Sequence, residues 1–358
     1  MKAWIFNQQA KTLQLQDLEQ PAPRPGAVLV RMDAVPLLSY TEAYLEGELP
    51  YGYPQGDFTP GTNGVGHVLA VGDGVYHLKP GQRVAVHPLW QAPDAVAEPA
   101  RILIGLTAID ADSGPLQQTF PHGTLREVAE MPASTVLPLD GLGDMSAERL
   151  AVLGKFLVPF GGLRRGRLAA GETVAINGAS GYFGSAAVLA ALAMGAGKVL
   201  AVGRRAEALR PLVELGKGRV VAAVLTGDVE HDAAMLRELA GPAGVHMALD
   251  MIGQAASADS TLAVLHSLAR NGRLVLMGSM NVPLALPYGA LMLNNWEIMG
   301  NFMYQPEDAQ ALIALLRRKQ LDLSPVTVRS FALAALPEAA RAASDMQGLQ
   351  ATVVQLQN

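Results

Sequence analysis

No cysteine occurs anywhere in this 358-residue chain. That absence removes disulfides, thiolate-ligated zinc and a cysteine nucleophile together. Any metal would have to rest on histidines and carboxylates, yet the seven histidines form neither an HExxH motif nor a tight HxH pair. Basic excess is missing as well: a formal charge of -5 offers nucleic acid no electrostatic reason to bind. Nothing approaches the ~18 uninterrupted apolar residues of a membrane span. The opening MKAWIFNQQAKTLQLQ alternates like a first strand and lacks the apolar centre of a signal peptide. Internal repeats and low-complexity tracts are absent too. A cytoplasmic protein is the expectation. A hydrophobic fraction of 50% with 16% charge describes a packed globular chain, and its length allows two domains of ~100–200 residues each.

What is present divides into two rhythms. Up to about residue 140 the chain is rich in Pro and Gly, with short apolar runs such as AVLVRMDAV (27–35), GHVLAVG (66–72) and QRVAVHP (82–88) bounded by turn residues. That pattern predicts an all-β unit. From about 145, strand-length and helix-length segments alternate: ETVAING (172–178), YFGSAAVLAALAMG (182–195), KVLAVG (198–203), AEALRPLVELG, RVVAAVL (219–225), HDAAMLRELAG, VHMALDMIG (245–253), ADSTLAVLHSLAR (258–270) and GRLVLMG (272–278). Such alternation specifies an α/β fold with a doubly wound parallel sheet. NNWEIMGNFM (294–303) reads as a further strand, and PEDAQALIALLRRKQ (306–320) and PEAARAASDMQG (337–348) as helices.

Two glycine-rich stretches compete for a nucleotide. PGTNGVGHVLAVGDGV (60–75) is followed by strand, so its N–H groups are not gathered at a helix end. GASGYFG (178–184) follows a strand and opens a helix, with Gly178, Gly181 and Gly184 at spacing three, as a dinucleotide turn requires. Ala179, Ser180, Tyr182 and Phe183 belong to the same turn. An NAD enzyme is expected to place an acid roughly 20 residues further on, for the ribose hydroxyls. Here the strand ends in Gly203, Arg204 and Arg205, and guanidinium groups suit a 2′-phosphate. NADPH is therefore expected over NADH; the other reading is that both arginines are merely solvated. Asp250, at the tip of the fourth strand of this alternation, either faces the cofactor or caps the next turn. Gly278, closing the fifth, is counted with the cofactor residues.

The run PGTNGVGHVLAVGDGVYHLKPGQRVAV, the earlier AVPLLSYTEAYLEG (34–47), the later HGTLREVAEMPASTVLPL (122–139) and GASGYFG together resemble the medium-chain dehydrogenase/reductase superfamily in order and spacing. The resemblance covers nearly the whole chain, with 88–121 the poorest match. It implies a GroES-like β-rich catalytic domain from 1–144 and 321–358 around a Rossmann NADP(H)-binding domain at 145–320. The superfamily's zinc alcohol dehydrogenases carry a metal-binding Cys in the first motif and a Gly-His-Glu in the second. Those ligand positions fall here on Leu38, and on Thr62 and Asn63. The resemblance thus implies the zinc-independent branch of quinone oxidoreductases and enone or enoyl reductases. Neutral oxygens at Thr62 and Asn63 suit a hydrogen bond to substrate or cofactor, or the satisfaction of a buried turn.

Without a Lewis acid, charge developing on an acceptor oxygen needs other donors, or delocalisation into a conjugated system. The expected substrate is accordingly a small electrophile, a conjugated carbonyl or quinone. Tyr40, Tyr51 and Tyr53 are the candidate proton donors, with Asn63 as a catalytic candidate beside them. The alternatives are a metal-free alcohol or ketone dehydrogenase using Tyr40 or Ser39 as relay, and a nucleotide-binding protein with a structural or regulatory role. His67 and His87 read as structural histidines, and Trp90 and Phe120 as an apolar wall or ordinary core. A homodimer paired through the sheet edge near 294–303 is the expected assembly.

Overall fold

The computed structural model describes residues 1–357 as two compact units. The first comprises Met1–Gly154, Val326–Met346 and the segment from 350; the second comprises Lys155–Pro325 and Gln347–Leu349. These divisions fall later than the 144 and 320 expected from the sequence. At the first division the reason is the short helix α3 described below, which packs on strands of the first unit. No helix among the described residues is long and apolar enough to cross a membrane.

The first unit opens with the hairpin β1 (Lys2–Asn7) and β2 (Thr12–Asp17), so the single strand expected from 1–16 is two, reversed at residues 8–11 with Lys11 at φ 51°. Then follow β3 (Ala27–Pro36), α1 (Thr41–Leu45), β4 (Asp57–Phe58), β5 (Gly64–Val71) and β6 (Arg83–Val86). The stretch that matched the resemblance least holds β7 (Leu89–Gln91), β8 (Arg101–Leu103), β9 (Thr107–Ala108) and α2 (Gly114–Thr119). After it come β10 (Val128–Pro132), β11 (Val136–Pro138) and α3 (Ala147–Ala151). Ser146 caps α3 by accepting from the Arg149 N–H at 3.2 Å.

The second unit alternates helix and strand: α4 (Leu153–Arg165, begun at the end of the first unit), β12 (Thr173–Asn177), α5 (Tyr182–Ala193), β13 (Lys198–Gly203), α6 (Ala206–Leu215) and β14 (Val220–Val224). It continues through α7 (Val229–Ala240), β15 (Val245–Asp250), α8 (Asp259–His266), β16 (Leu268–Leu276), α9 (Tyr288–Asn294), β17 (Glu297–Gly300) and α10 (Pro306–Arg317). Its six strands are parallel in the order β14-β13-β12-β15-β16-β17. Strand order reverses beside β12, which is where such sheets open a crevice for a ligand. Apolar runs without alternation build this sheet because helices cover both faces. Leu200, Val202, Leu236, Val245, Val264 and Leu274 form one buried cluster, each such side chain contributing about 1.5–3 kcal/mol.

Two expected boundaries shift. The helix expected over 258–270 ends at His266, and Leu268 already pairs with Val245 before a bulge restores register at Met247 and Arg273. The strand expected over 294–303 is confined to Glu297–Gly300, because 288–294 is helical and Asn295 ends that helix in the left-handed region at φ 51°.

The chain then returns to the first unit as β18 (Thr327–Ala332), α11 (Leu336–Ser344) and β19 (Gln350–Gln355). β19 lies parallel to β18 and antiparallel to β3, through Val353↔Pro36 and Val354↔Val35. The returning strands thereby share a seven-stranded sheet with strands from the first 140 residues, β11-β6-β5-β3-β19-β18 with β10 on β3, while β1, β2 and β4 form a separate sheet.

Asp232, on α7, is buried and ties the preceding loop: its carboxylate accepts from the N–H groups of Thr226 (2.9 Å) and Gly227 (3.0 Å) and from the Thr226 hydroxyl (2.8 Å). Asp232→Ala leaves those donors without partners and is expected to destabilise the second unit by about 2–3 kcal/mol, read as a lowered denaturation midpoint. An unchanged midpoint would show that the loop is not held this way.

Candidate functional site

The dinucleotide turn lies at the end of β12, whose five residues are all buried. Gly178 turns the chain in the left-handed region at φ 78°, and the Gly181 N–H closes the turn on the Gly178 carbonyl at 2.9 Å. The Ala179 N–H donates to Val202 O at 3.0 Å, pinning the turn to β13. A Cβ on Gly184 would stand 2.0 Å from the Gly178 oxygen, so no side chain fits there. Gly181 caps α5 in an extended conformation, with no side chain between the first helical N–H groups and a ligand. The twelve-residue helix behind it adds its dipole. Such free N–H groups and the dipole can hold an anionic group such as a diphosphate.

At the tip of β13, Gly203 is buried and Arg204 and Arg205 are exposed. Asp250 is placed differently from a cofactor ligand. Its carboxylate is buried, accepts from the hydroxyl of Thr261, from the Ile252 N–H at 2.9 Å and from Asn177 Nδ2 at 3.4 Å, and burial raises its pKa. Those bonds fit the turn-holding alternative. Gly278 is required by packing, since a Cβ there would lie 2.0 Å from Ile252 O.

Sequence reading does not single out Lys155, although a lysine inside the apolar run VLGKFLVPF is a signal that could have found it. Lys155 is buried, with Nζ 2.6 Å from Gly348 O and 3.7 Å from the centre of the Tyr182 ring. The Gly348 N–H in turn donates to Ser180 O at 3.1 Å. Segment 347–349 is thus hydrogen-bonded to both the buried lysine and the nucleotide turn. Burial lowers the Lys155 pKa from 10.5 to about 7.

In the first unit, Leu38 follows β3, and its N–H donates to Thr41 Oγ1 at 2.9 Å. Tyr40 is the N-cap residue of α1. Thr62 and Asn63 precede β5: Asn63 Nδ2 donates to Thr62 Oγ1 at 3.2 Å, and the Thr124 hydroxyl donates to Asn63 O at 2.9 Å. A Cβ on Gly154 would fall 2.7 Å from Asn63 Cγ, so the Asn63 amide fills the space that a side chain at 154 would need. The crevice between Leu38, Tyr40 and Thr62 holds about 20 Å3, room for one water. Zinc does not fit this set. Leu38 has no donor atom, Thr62 and Asn63 are neutral, and no group of three or more His, Cys, Asp or Glu among the described residues could hold a metal.

The tyrosines separate into two pairs. Tyr53 stacks on Tyr44 at 4.7 Å and donates to Tyr44 O at 3.1 Å; Tyr44, which the sequence reading passed over, is buried and donates to Leu106 O at 2.7 Å. Both hydroxyl protons serve the main chain. Tyr40 and Tyr51 meet edge to face at 6.2 Å with their hydroxyls hydrogen-bonded, and burial raises the Tyr51 pKa. His67 pairs with Asp33 at 2.8 Å, while burial lowers the pKa of His87 to about 4, leaving a neutral core histidine.

Residues 183–318 match the family model described as zinc-binding dehydrogenase, and residues 24–141 the alcohol dehydrogenase GroES-like domain. An alcohol dehydrogenase of Geobacillus stearothermophilus is 30% identical over 316 residues, 87% of each chain. Sorbitol dehydrogenase of Rattus norvegicus is 26% identical over 349 residues, 95% of this chain and 92% of the relative. Among solved structures, 2R,3R-butanediol dehydrogenase from Bacillus subtilis shares the fold with a TM-score of 0.81 at 21% identity, over 99% of both chains.

The lowered Lys155 pKa has a definite sign. Between about 7 and 10.5 the unfolded chain binds a proton that the folded chain lacks, so stability from this group rises with pH across that window and is flat below it. Lys155→Met is expected to remove this rise and to gain most over the wild type at and below pH 7. The check is the difference in denaturation midpoint between the two proteins from pH 6 to 10; a constant difference would refute the assignment.

Proposed function

The chain belongs to the medium-chain dehydrogenase/reductase superfamily and is an oxidoreductase of that type, and we propose that it moves hydride between NADPH and the carbonyl carbon of an alcohol–carbonyl pair without bound zinc. The observation that carries the zinc-free reading is the donor set at Leu38, Thr62 and Asn63, with the Asn63 amide packed against Gly154. The names of the relatives, alcohol and sorbitol dehydrogenase, support an alcohol–carbonyl pair over the conjugated carbonyls and quinones expected from sequence.

A bound nicotinamide would supply or accept the hydride. The glycine turn 178–184 and the start of α5 would hold its diphosphate, and Arg204 and Arg205, exposed with no acid at the strand tip, favour a 2′-phosphate. In reduction, hydride adds to the carbonyl carbon, the π pair moves to oxygen, and that oxygen takes one proton. The Tyr40–Tyr51 hydroxyl pair is the donor the first unit offers. Because burial raises the Tyr51 pKa, the hydroxyl is protonated at neutral pH, which suits donation to a developing alkoxide better than abstraction from an alcohol.

The test is oxidation of NADPH and NADH by metal-stripped protein with a saturated ketone, an aldehyde, an enone and a quinone. Turnover of the saturated carbonyls with NADPH, indifferent to chelator, is expected. Tyr40→Phe and Tyr51→Phe should each lower kcat about 10²-fold with little change in KM. Replacing Arg204 and Arg205 by Ala should raise the KM for NADPH about tenfold and leave that for NADH unchanged. Turnover confined to the enone or quinone would move the reading to conjugated acceptors, cofactor binding without turnover would favour a nucleotide-binding role, and dependence on added zinc would sink the metal-free mechanism.

We also propose a homodimer formed through the free edge of the six-stranded sheet. β17 ends that sheet, and in the helix that precedes it in the chain Tyr288, Met292 and Leu293 are 82%, 61% and 68% exposed, an apolar surface that calls for a partner. Light scattering should give a dimer mass for the wild type and a monomer for the Met292→Glu, Leu293→Glu double variant; a monomeric wild type would rule the pairing out.

A further inference from the structure

A second cavity, in the first unit, is unconnected with the residues assigned above. It holds about 370 Å3 and is lined by Arg24, Phe120, His122, Arg126 and Glu130, with Glu19 on its exposed rim. That volume is within the range of small-molecule sites.

Its unusual member is Arg126, only 6% exposed. No carboxylate forms an ion pair with it among the described residues, its Nε is buried without a hydrogen-bond partner, and its Nη2 meets only Met1 Sδ at 4.0 Å. The nearby carboxylate of Glu130 is engaged elsewhere. It accepts from the Arg24 backbone N–H at 3.0 Å, from Arg24 Nε at 3.0 Å and from Arg24 Nη2 at 2.8 Å. A buried guanidinium left so is costly unless something pairs with it. His122 adds a donor: its Nδ1 accepts from the Thr59 N–H at 3.1 Å, so the neutral ring carries its proton on Nε2. Burial, together with Arg126 and Arg24, lowers the His122 pKa to about 4 and keeps the ring neutral. An apolar surface completes the cavity, with Arg24 stacked 4.3 Å over the Phe120 ring and Phe120 packed edge-on against Trp90 at 4.8 Å.

We propose that this cavity binds a small carboxylate whose head group pairs with Arg126 and whose apolar part lies against Phe120. A planar carboxylate matches the guanidinium fork. Its lining includes neither the glycine-turn residues nor Tyr40 or Tyr51, so its ligand is a second small molecule besides cofactor and carbonyl substrate.

The probe is benzoate, followed by calorimetry and by tryptophan fluorescence, with chloride holding ionic strength constant and benzamide and inorganic phosphate as comparators. Saturable benzoate binding is expected, weakened about tenfold or more in Arg126→Met, with benzamide insensitive to the substitution and NADPH binding unchanged. Arg126→Lys keeps the charge while losing the fork; it should bind benzoate more weakly than the wild type, and it stands in should the Met variant not fold. Absence of saturation below about 10 mM, equal affinity in the Arg126 variants, or binding of phosphate but not benzoate would each overturn the proposal.

Discussion

The second unit depends on a single close approach, that of the Gly178 carbonyl to the Cα of Gly184. A Cβ at 184 would stand 2.0 Å from that oxygen. With it absent, the end of β12 folds directly against the first turn of α5, and Ala179 is left to hydrogen-bond across to β13. Because β12 is central and strand order reverses beside it, the turn lies at the one place where the sheet opens for a ligand. Tyr182 follows at the first helical position, and its ring is what the Lys155 ammonium rests against. Hydrogen bonds through Gly348 then fasten a distant piece of chain to Ser180. Were the approach blocked, the helix would lift from the strand and the lysine would lose its ring.

In the first unit neutral side chains around residues 62–63 order one another. Asn63 does so through Thr62 and Thr124, and its amide occupies the volume next to Gly154. The neighbouring aromatic cluster is ordered by main-chain carbonyls that take the protons of Tyr44 and Tyr53. Tyr40 and Tyr51 bond instead to each other, and a hydroxyl pair of that kind can hand on a proton. Main-chain and side-chain hydrogen bonding are thus divided among four tyrosines that look alike in the sequence.

Most of the second unit was legible before folding. Periodicity located its strands because a buried parallel strand is an unbroken apolar run, and the spacing of Gly178, Gly181 and Gly184 identified the turn because the turn is local. Errors fell where a local signal was overridden. Leu268 continues the apolar pattern of α8 but is taken into β16 by pairing with Val245. The stretch 294–303 carries its apolar residues between 296 and 303, yet the left-handed Asn295 ends a helix within it and only Glu297–Gly300 lie on the sheet edge. The two-strand start was missed for the same reason, since alternation continues on both sides of a reversal.

The sequence by itself determined the class of fold, the glycine turn between β12 and α5 and the absence of thiolate ligands, because each rests on residue type and short-range order. Tertiary structure alone decided that the Tyr44 and Tyr53 hydroxyls bond to main-chain carbonyls, that Asp250 is occupied by Thr261, Ile252 and Asn177, and that Lys155 and Arg126 are buried. The reason is physical. A titratable group's state depends on desolvation and on partners brought from far along the chain, as Gly348 is to Lys155, and neither is written in its neighbours in sequence.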